Sequence, residues 1–388
     1  MVSIVHISDL HIAERLFETR RFLPYLPHRH GHDNQAFLAL DSFLKTFDWD
    51  LLIITGDISR TGRAESFGLV KNWLDNEITF GANKIGLNLS KSKSRRYVVV
   101  PGNHDRFNGK LKQHSLDNYH DEFPAIHAGA IEKIKINGIT LNIHLFNSTW
   151  KNGSFAYGKI DQRALAPKTL LDSEIDLAVL HHHFIQPPNH TREVTTELAN
   201  SAEVAAYILS TGFDGVFFGH THKSYIDQPS AEVLSNLLDR RKRQKFWSKH
   251  VPNIITRLFD NDGLVAYTRE AAQNGQLPTL ESYFSFLYLR RCGLELRSPS
   301  EFKSIHAFHE QMKQVATDPR MAAEISNAKK RKILISLAPS ACQDEAKWKG
   351  LHVVKISKNA KGVFNFEWDR YQLEDGRFCA KPKDLHVS

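Results

Sequence analysis

Five apolar runs in this chain stop abruptly at residues carrying oxygen or nitrogen lone pairs, and that recurrence constrains the fold more than any other feature. Residues 97–100 are β-branched and aromatic, read as a buried strand, and are broken by Pro101-Gly102. Asn103, His104 and Asp105 follow at once. Val2–Ile7 runs into Ser8-Asp9-Leu10-His11, and Leu51–Thr55 into Gly56-Asp57. Residues 177–180 run into His181-His182-His183, and Gly215–Phe218 into Gly219-His220-Thr221-His222. One such ending is ordinary turn or cap chemistry. Five of them, all delivering Asp, Asn or His, point to metal ligands gathered at the carboxyl edge of an open α/β sheet.

The stretches between these runs support that architecture. Residues 35–47 and 64–80 carry apolar side chains at helical spacing, so the first 100 residues read strand–helix–strand–helix–strand. Asn137-Gly138 between two alternating runs predicts a hairpin, and residues 202–209 a further helix. From residue 12 to about 34 the chain is polar, is interrupted by Pro24 and Pro27, and carries Arg15, Arg20, Arg21 and Arg29. A loop of that length leaving directly from Asp9 and His11 reads as a lid whose cations meet a substrate phosphate.

Charge is distributed unevenly along the 388 residues. From Lys223 onward 28 Lys and Arg face 19 Asp and Glu, whereas residues 1–222 hold 23 against 24. The positive excess therefore lies outside the five runs. Over 230–332 the periodicity turns helical, with basic clusters at 240–243 and 329–332, and strand-like runs resume at 333–337, 352–356 and 363–368. This predicts a core over 1–228, a basic helical insertion over 229–332 and closing strands over 333–388. The insertion is expected to serve as a cap, a homodimer surface or a nucleic-acid clamp. No apolar run approaches the roughly 18–20 residues that span a bilayer. The first strand starts one residue after Met1, and the three cysteines (Cys292, Cys342, Cys379) fit no metal or disulfide pattern. A cytoplasmic protein is the expectation.

In order, Asp-x-His, Gly-Asp, Gly-Asn-His-Asp, His and Gly-His-x-His resemble the signature of the calcineurin-like metallophosphoesterases over residues 1–222. The resemblance implies a four-layer α/β fold, a β-sandwich flanked by helices, and a site for two divalent metals. Ligands of this type suit Mn, Fe, Zn or Co, with Mn favoured. It further implies that Asp9, His11 and His222 bind one metal, that Asp57 bridges, and that Asn103, His182 and His220 complete the second. The family ligand commonly sits two residues before a proline; Phe184 occupies that place here, so His182 is taken with His181 as the alternative. His104 would protonate the leaving alkoxide or hold a phosphate oxygen, with Asp105 orienting its ring.

Gly56-Asp57-Ile58-Ser59-Arg60-Thr61-Gly62 lacks the second Asp of the protein phosphatase branch and looks more like the cyclic-nucleotide phosphodiesterase branch. A phosphodiesterase acting on a nucleotide-type diester is therefore expected, with Arg60, Arg63 or Arg106 as phosphate contacts. The alternatives are a nuclease that docks DNA or RNA on the insertion, and a catalytically silent scaffold. The complete ligand set argues against the scaffold.

Overall fold

A computed structural model describes residues 1–13, 32–80, 83–108, 114–124, 126, 130–149, 158–165, 174–185, 198–236, 330–342 and 348–382, with isolated positions between 319 and 327. The lid reading (14–31) and most of the basic insertion, including 240–243, lie outside the described residues.

The chain enters through β1 (Val2–Ile7), α1 (Asn34–Thr46), β2 (Leu51–Thr55) and α2 (Ala64–Asp75). A short antiparallel pair, β3 (Ile78–Phe80) and β4 (Asn83–Ile85), leads to β5 (Arg96–Val100). Then come α3 (Asp117–Glu122), β6 (Ala130–Ile136), β7 (Ile139–Leu145), β8 (Ile175–Val179), α4 (Ser201–Thr211), β9 (Gly215–Phe218), β10 (Tyr225–Asp227) and α5 (Ala231–Asn236). The last strands are β11 (Leu334–Leu337), β12 (Gly350–Lys358), β13 (Phe364–Glu374) and β14 (Arg377–Lys381).

These strands make two six-stranded sheets. The first runs β14-β13-β12-β1-β2-β5 and the second β10-β11-β9-β8-β7-β6. Within them β1, β2 and β5 are mutually parallel, as are β7, β8, β9 and β11. Their carboxyl ends therefore open together. Late strands return to both sheets: β12 lies antiparallel to β1, with Val2 opposite Ile356, and β11 lies parallel to β9, with Leu334 opposite Gly215.

Period-two alternation divides the apolar side chains into layers. Ile4, Leu51, Ile53, Val98 and Val100 of the first sheet share one core with Leu141, Ile143, Leu177, Val179 and Leu334 of the second. The alternate residues Val5, Ile7, Leu52, Ile54 and Val99 turn outward onto Phe37, Leu40 and Leu44 of α1 and Phe67, Val70 and Trp73 of α2. Ala178, Val216, Phe218 and Ile335 turn outward from the second sheet onto Val204, Ala205 and Ile208 of α4. The order is helices, sheet, sheet, helices. Among the described residues no helix is long and apolar enough to cross a membrane.

Local chemistry sets the boundaries of the helices. The Asp33 carboxylate accepts from the amides of Gln35 and Ala36 and starts α1. Gly212, with φ +88°, closes α4. One boundary differs from the periodicity reading: α2 ends at Asp75 rather than running to 80. Ile78, Thr79 and Phe80 are β-branched or aromatic and pair with β4 instead, because strand-favouring residues gain a partner there that a frayed last turn lacks.

Candidate metal centre

Beyond the strand ends the backbone bends into a conformation that side chains other than glycine rarely adopt. Asp9, His11, Asp57, His220 and His222 all have φ between +50° and +74°, and Gly56 between β2 and Asp57 has φ +87°. Such residues persist only where surrounding structure over-determines them, and here they cluster on one edge. A Cβ on Gly102 would lie 2.1 Å from Oδ1 of Asp57, so only glycine lets the loop after β5 approach that carboxylate.

All five loops converge. Asp9 Oδ1 lies 3.1 Å from His222 Nε2, and Asp9 Oδ2 accepts the His220 amide. His11 Nε2 stands 3.8 Å from Asp9 and 3.9 Å from Asp57. On the other flank His181 Nε2 lies 3.4 Å from Asp57 Oδ2, 3.2 Å from Asn103 Oδ1 and 3.0 Å from His220 Nδ1. Four overlapping trios bring ligand atoms within 4.8 Å of one another: Asp9, His11 and His222; Asp9, Asp57 and His181; His11, Asp57 and His104; His181, His182 and His220. Asp57 belongs to trios on both flanks. The trios hold Asp9, His11, Asp57, His182, His220 and His222, and Asn103 reaches them through His181 at 3.2 Å.

The donor set fits cations. Nε2 of His11, of His182 and of His220 is buried without a hydrogen-bond partner, a cost that a cation bound at such an atom would remove. The oxygen and imidazole donors, with no thiolate among them, are those of a borderline divalent metal. Electrostatics agree. Burial disfavours charge on Asp9 and Asp57, yet the surrounding imidazoles outweigh it and hold both carboxyls below the usual range. Burial likewise opposes charge on His181, but Asp57, with Asp9 and the Thr55 carbonyl, pushes it up to about 9. The two carboxylates thus favour positive charge on the imidazole nearest Asp57.

The histidine run is resolved by its hydrogen bonds. The Nδ1 of His181 lies 2.6 Å from the Thr55 carbonyl, which can only accept, so Nδ1 carries a proton and Nε2 is the atom turned to the cluster. The Ser148 hydroxyl accepts the amides of His181 and His182, so its own proton goes to Nδ1 of His182 at 2.9 Å. Nε2 of His182 is buried without a hydrogen-bond partner and lies with His181 and His220 in one of the trios. Burial, then the neighbouring His220 and His181, holds His182 well below the ordinary histidine range.

His104 and Asp105 differ from expectation. The ring of His104 packs against His11 at 4.6 Å, and its Nδ1 donates to the Arg60 carbonyl at 2.9 Å. Burial lowers its pKa to about 4. Asp105 does not orient that ring, which corrects the sequence reading. Its oxygens accept from the amides of Gly102, Ile58 and Ser59, locking the β2 and β5 loops together. Three converging amides from the two loops outcompete a neighbouring ring that already has a carbonyl. Burial, with the charge of Asp57, moves Asp105 up to about 8 despite those amides.

Among the arginines, Arg106 donates Nε to Thr149 Oγ1 and Nη1 to the His114 carbonyl. Arg331, from the basic cluster at 329–332, pairs with Asp214 at 2.9 Å. Sequence reasoning missed Ser148. The signal existed, since the alternating strand β7 runs through Leu145 into Phe146 and is followed at once by Asn147-Ser148-Thr149.

Two face-to-face sheets with carboxylates and imidazoles gathered at one edge define a metal-dependent hydrolase. The family model for calcineurin-like phosphoesterase matches residues 2–224, and the chain belongs to that family. It is accordingly a hydrolase of phosphate esters, in a family that typically binds two divalent metals. No curated protein matches the chain.

Proposed function

We infer that this chain is a dinuclear-metal phosphodiesterase acting on a nucleotide-type phosphodiester, with Mn²⁺ the favoured cation. The observation that carries the reading is Asp57, whose one carboxylate faces His11 on one side and His181 on the other. Asp9, His11 and His222 would hold one cation and Asp57 would bridge. Asn103, His181 and His220 would hold the second. His181 is preferred to His182 because its Nε2 stands 3.4 Å from Asp57 Oδ2 and 3.2 Å from Asn103 Oδ1.

Bound divalent cations supply positive charge against the phosphate oxygens and acidify water. The chain's own residues supply the rest. His104, fixed through Nδ1 by the Arg60 carbonyl, keeps Nε2 for the substrate. It gains a proton as the phosphate's charge arrives and gives it to the leaving alkoxide. Asp105 holds the two loops that carry Asp57, Asn103 and His104. In this reading 1–228 and 333–388 form the catalytic unit, and 229–332 serves as a cap, a homodimer surface or a nucleic-acid clamp.

A Mn²⁺-supplemented hydrolysis panel tests this. It compares bis-p-nitrophenyl phosphate, p-nitrophenyl phosphate, cyclic nucleotides, and single- and double-stranded DNA and RNA, with Asp57→Asn as the blank. Turnover of small diesters alone is the expected result. Cleavage of polymers, with affinity falling steeply in added salt, would favour a nuclease; the positive excess after Lys223 supports that second reading. No turnover above the blank would leave the scaffold reading in front.

A further inference from the structure

Directly beneath the metal centre, between the sheets, runs a line of polar side chains that the mechanism above does not use. By the alternation that places Ile4, Ile53, Leu334 and Val354 in the inter-sheet core, His6, Thr55, Ser336 and His352 point into the same space. All four are fully buried. They are bonded in sequence: Thr55 Oγ1 to His6 Nε2 at 3.0 Å, His6 Nδ1 to Ser336 Oγ at 2.8 Å, and Ser336 Oγ to His352 Nδ1 at 2.9 Å. His352 Nε2 then reaches Ser224 Oγ at 2.8 Å. The line crosses from β1, β2 and β12 in one sheet to β11 in the other.

Its polarity can be derived. Burial keeps both histidines neutral: it lowers His6 well below its usual range, and with Arg370 it brings His352 down to about 3. A neutral imidazole has one donor and one acceptor, and the single proton of Ser336 can go to only one ring. If Nε2 of His6 donates, its Nδ1 must take the Ser336 proton, and Nδ1 of His352 must then donate to Ser336. Thr55 Oγ1 donates to the Ile7 carbonyl at 3.4 Å, so it accepts from His6. Ser224 then donates to His352, His352 Nδ1 to Ser336, Ser336 to His6, and His6 Nε2 to Thr55. Each tautomer is set by the next residue.

Both ends of the line touch the site. Thr55 precedes Gly56-Asp57, and its carbonyl accepts from His181 Nδ1 at 2.6 Å and from Ser8 Oγ at 3.2 Å. Ser224 lies two residues after His222. We propose that Thr55, His6, Ser336 and His352 are positioning residues, a one-directional hydrogen-bond chain that holds the Thr55 peptide in place and so aims the lone pair of His181 at the second metal. The proposal rests on the dinuclear reading above, and partners beyond the ligand shell commonly set affinity in this way.

The test uses two substitutions of opposite character. Thr55→Val keeps the shape and β-branching and removes the hydroxyl; Thr55→Ser keeps the hydroxyl and loses the methyl. Mn²⁺ affinity is measured by equilibrium dialysis for both, for wild type and for Asp57→Asn. Imidazole tautomers of the ¹⁵N-histidine-labelled protein are read by NMR in EDTA. The wild type is expected to show a proton on Nε2 of His6 and on Nδ1 of His352. Thr55→Val should lose that pattern and weaken the second Mn²⁺ by about 10-fold or more, while Thr55→Ser retains both. Ser336→Ala, in the middle of the line, should behave as Thr55→Val does. The proposal is overturned if Thr55→Val binds as wild type does, if Thr55→Ser is as weak as Thr55→Val, or if the wild-type rings show mixed tautomers. Wild type binding no more Mn²⁺ than Asp57→Asn would instead overturn the dinuclear reading itself.

Discussion

Nε2 of His181 lies 3.4 Å from Oδ2 of Asp57, although the two residues leave different sheets. The contact joins the end of β2 to the end of β8, and within the histidine run it sets His181, which meets Asp57, apart from His182, whose Nδ1 meets Ser148.

His181→Gln should therefore lose about one of two bound Mn²⁺ equivalents and about 100-fold or more in kcat. His182→Gln should retain both ions and fall by less than about 10-fold, in the range of residues that act through ligands. Metal content by mass spectrometry alongside turnover of bis-p-nitrophenyl phosphate separates the two; equal losses would return His182 to the ligand set.

Asp105→Asn should act first on stability. The amide offers one acceptor oxygen where the carboxylate serves three backbone N–H groups, so about 1–3 kcal/mol should be lost in urea unfolding with EDTA present. An unchanged unfolding curve with a fallen kcat would restore Asp105 to the role of orienting His104.

Acid should destabilise the fold through His352. Burial, with Arg370, holds its folded pKa at about 3 against an unfolded value near 6.5, so the unfolded chain binds the proton first. The resulting stability is fully present above about pH 6.5 and is lost as pH falls toward 3. Between about pH 7.5 and about pH 5, wild type in EDTA should lose about 2 kcal/mol more than His352→Gln. Parallel urea titrations that give the same drop for both chains would contradict this.

Gly102→Ala places a methyl 2.1 Å from Oδ1 of Asp57 and 2.3 Å from its amide. Metal affinity should fall by about 10-fold or more while the apolar core between the sheets stays intact. Dialysis against Mn²⁺ reads the first, and near-UV circular dichroism the second.

The chain's local chemistry decided a great deal by itself. Alternation and β-branching set the strands, Asn137-Gly138 set the hairpin of β6 and β7, and abrupt polar stops delivered Asp9, His11, Asp57, Asn103, His220 and His222 to one edge. These are near-neighbour effects, and near neighbours are what a sequence displays. Even the inward face of His181 was legible, since it continues the parity of Leu177 and Val179.

Tertiary structure decided the partners. Asp105 chose the amides of Ser59 and Ile58 over the ring beside it, and Ser148 took the histidine run. His6 met Ser336 and His352 only because β11 and β12 return across a long stretch of chain. A hydrogen bond is set by distance and direction in space, and residues far apart in sequence acquire both only once the two sheets have closed on each other.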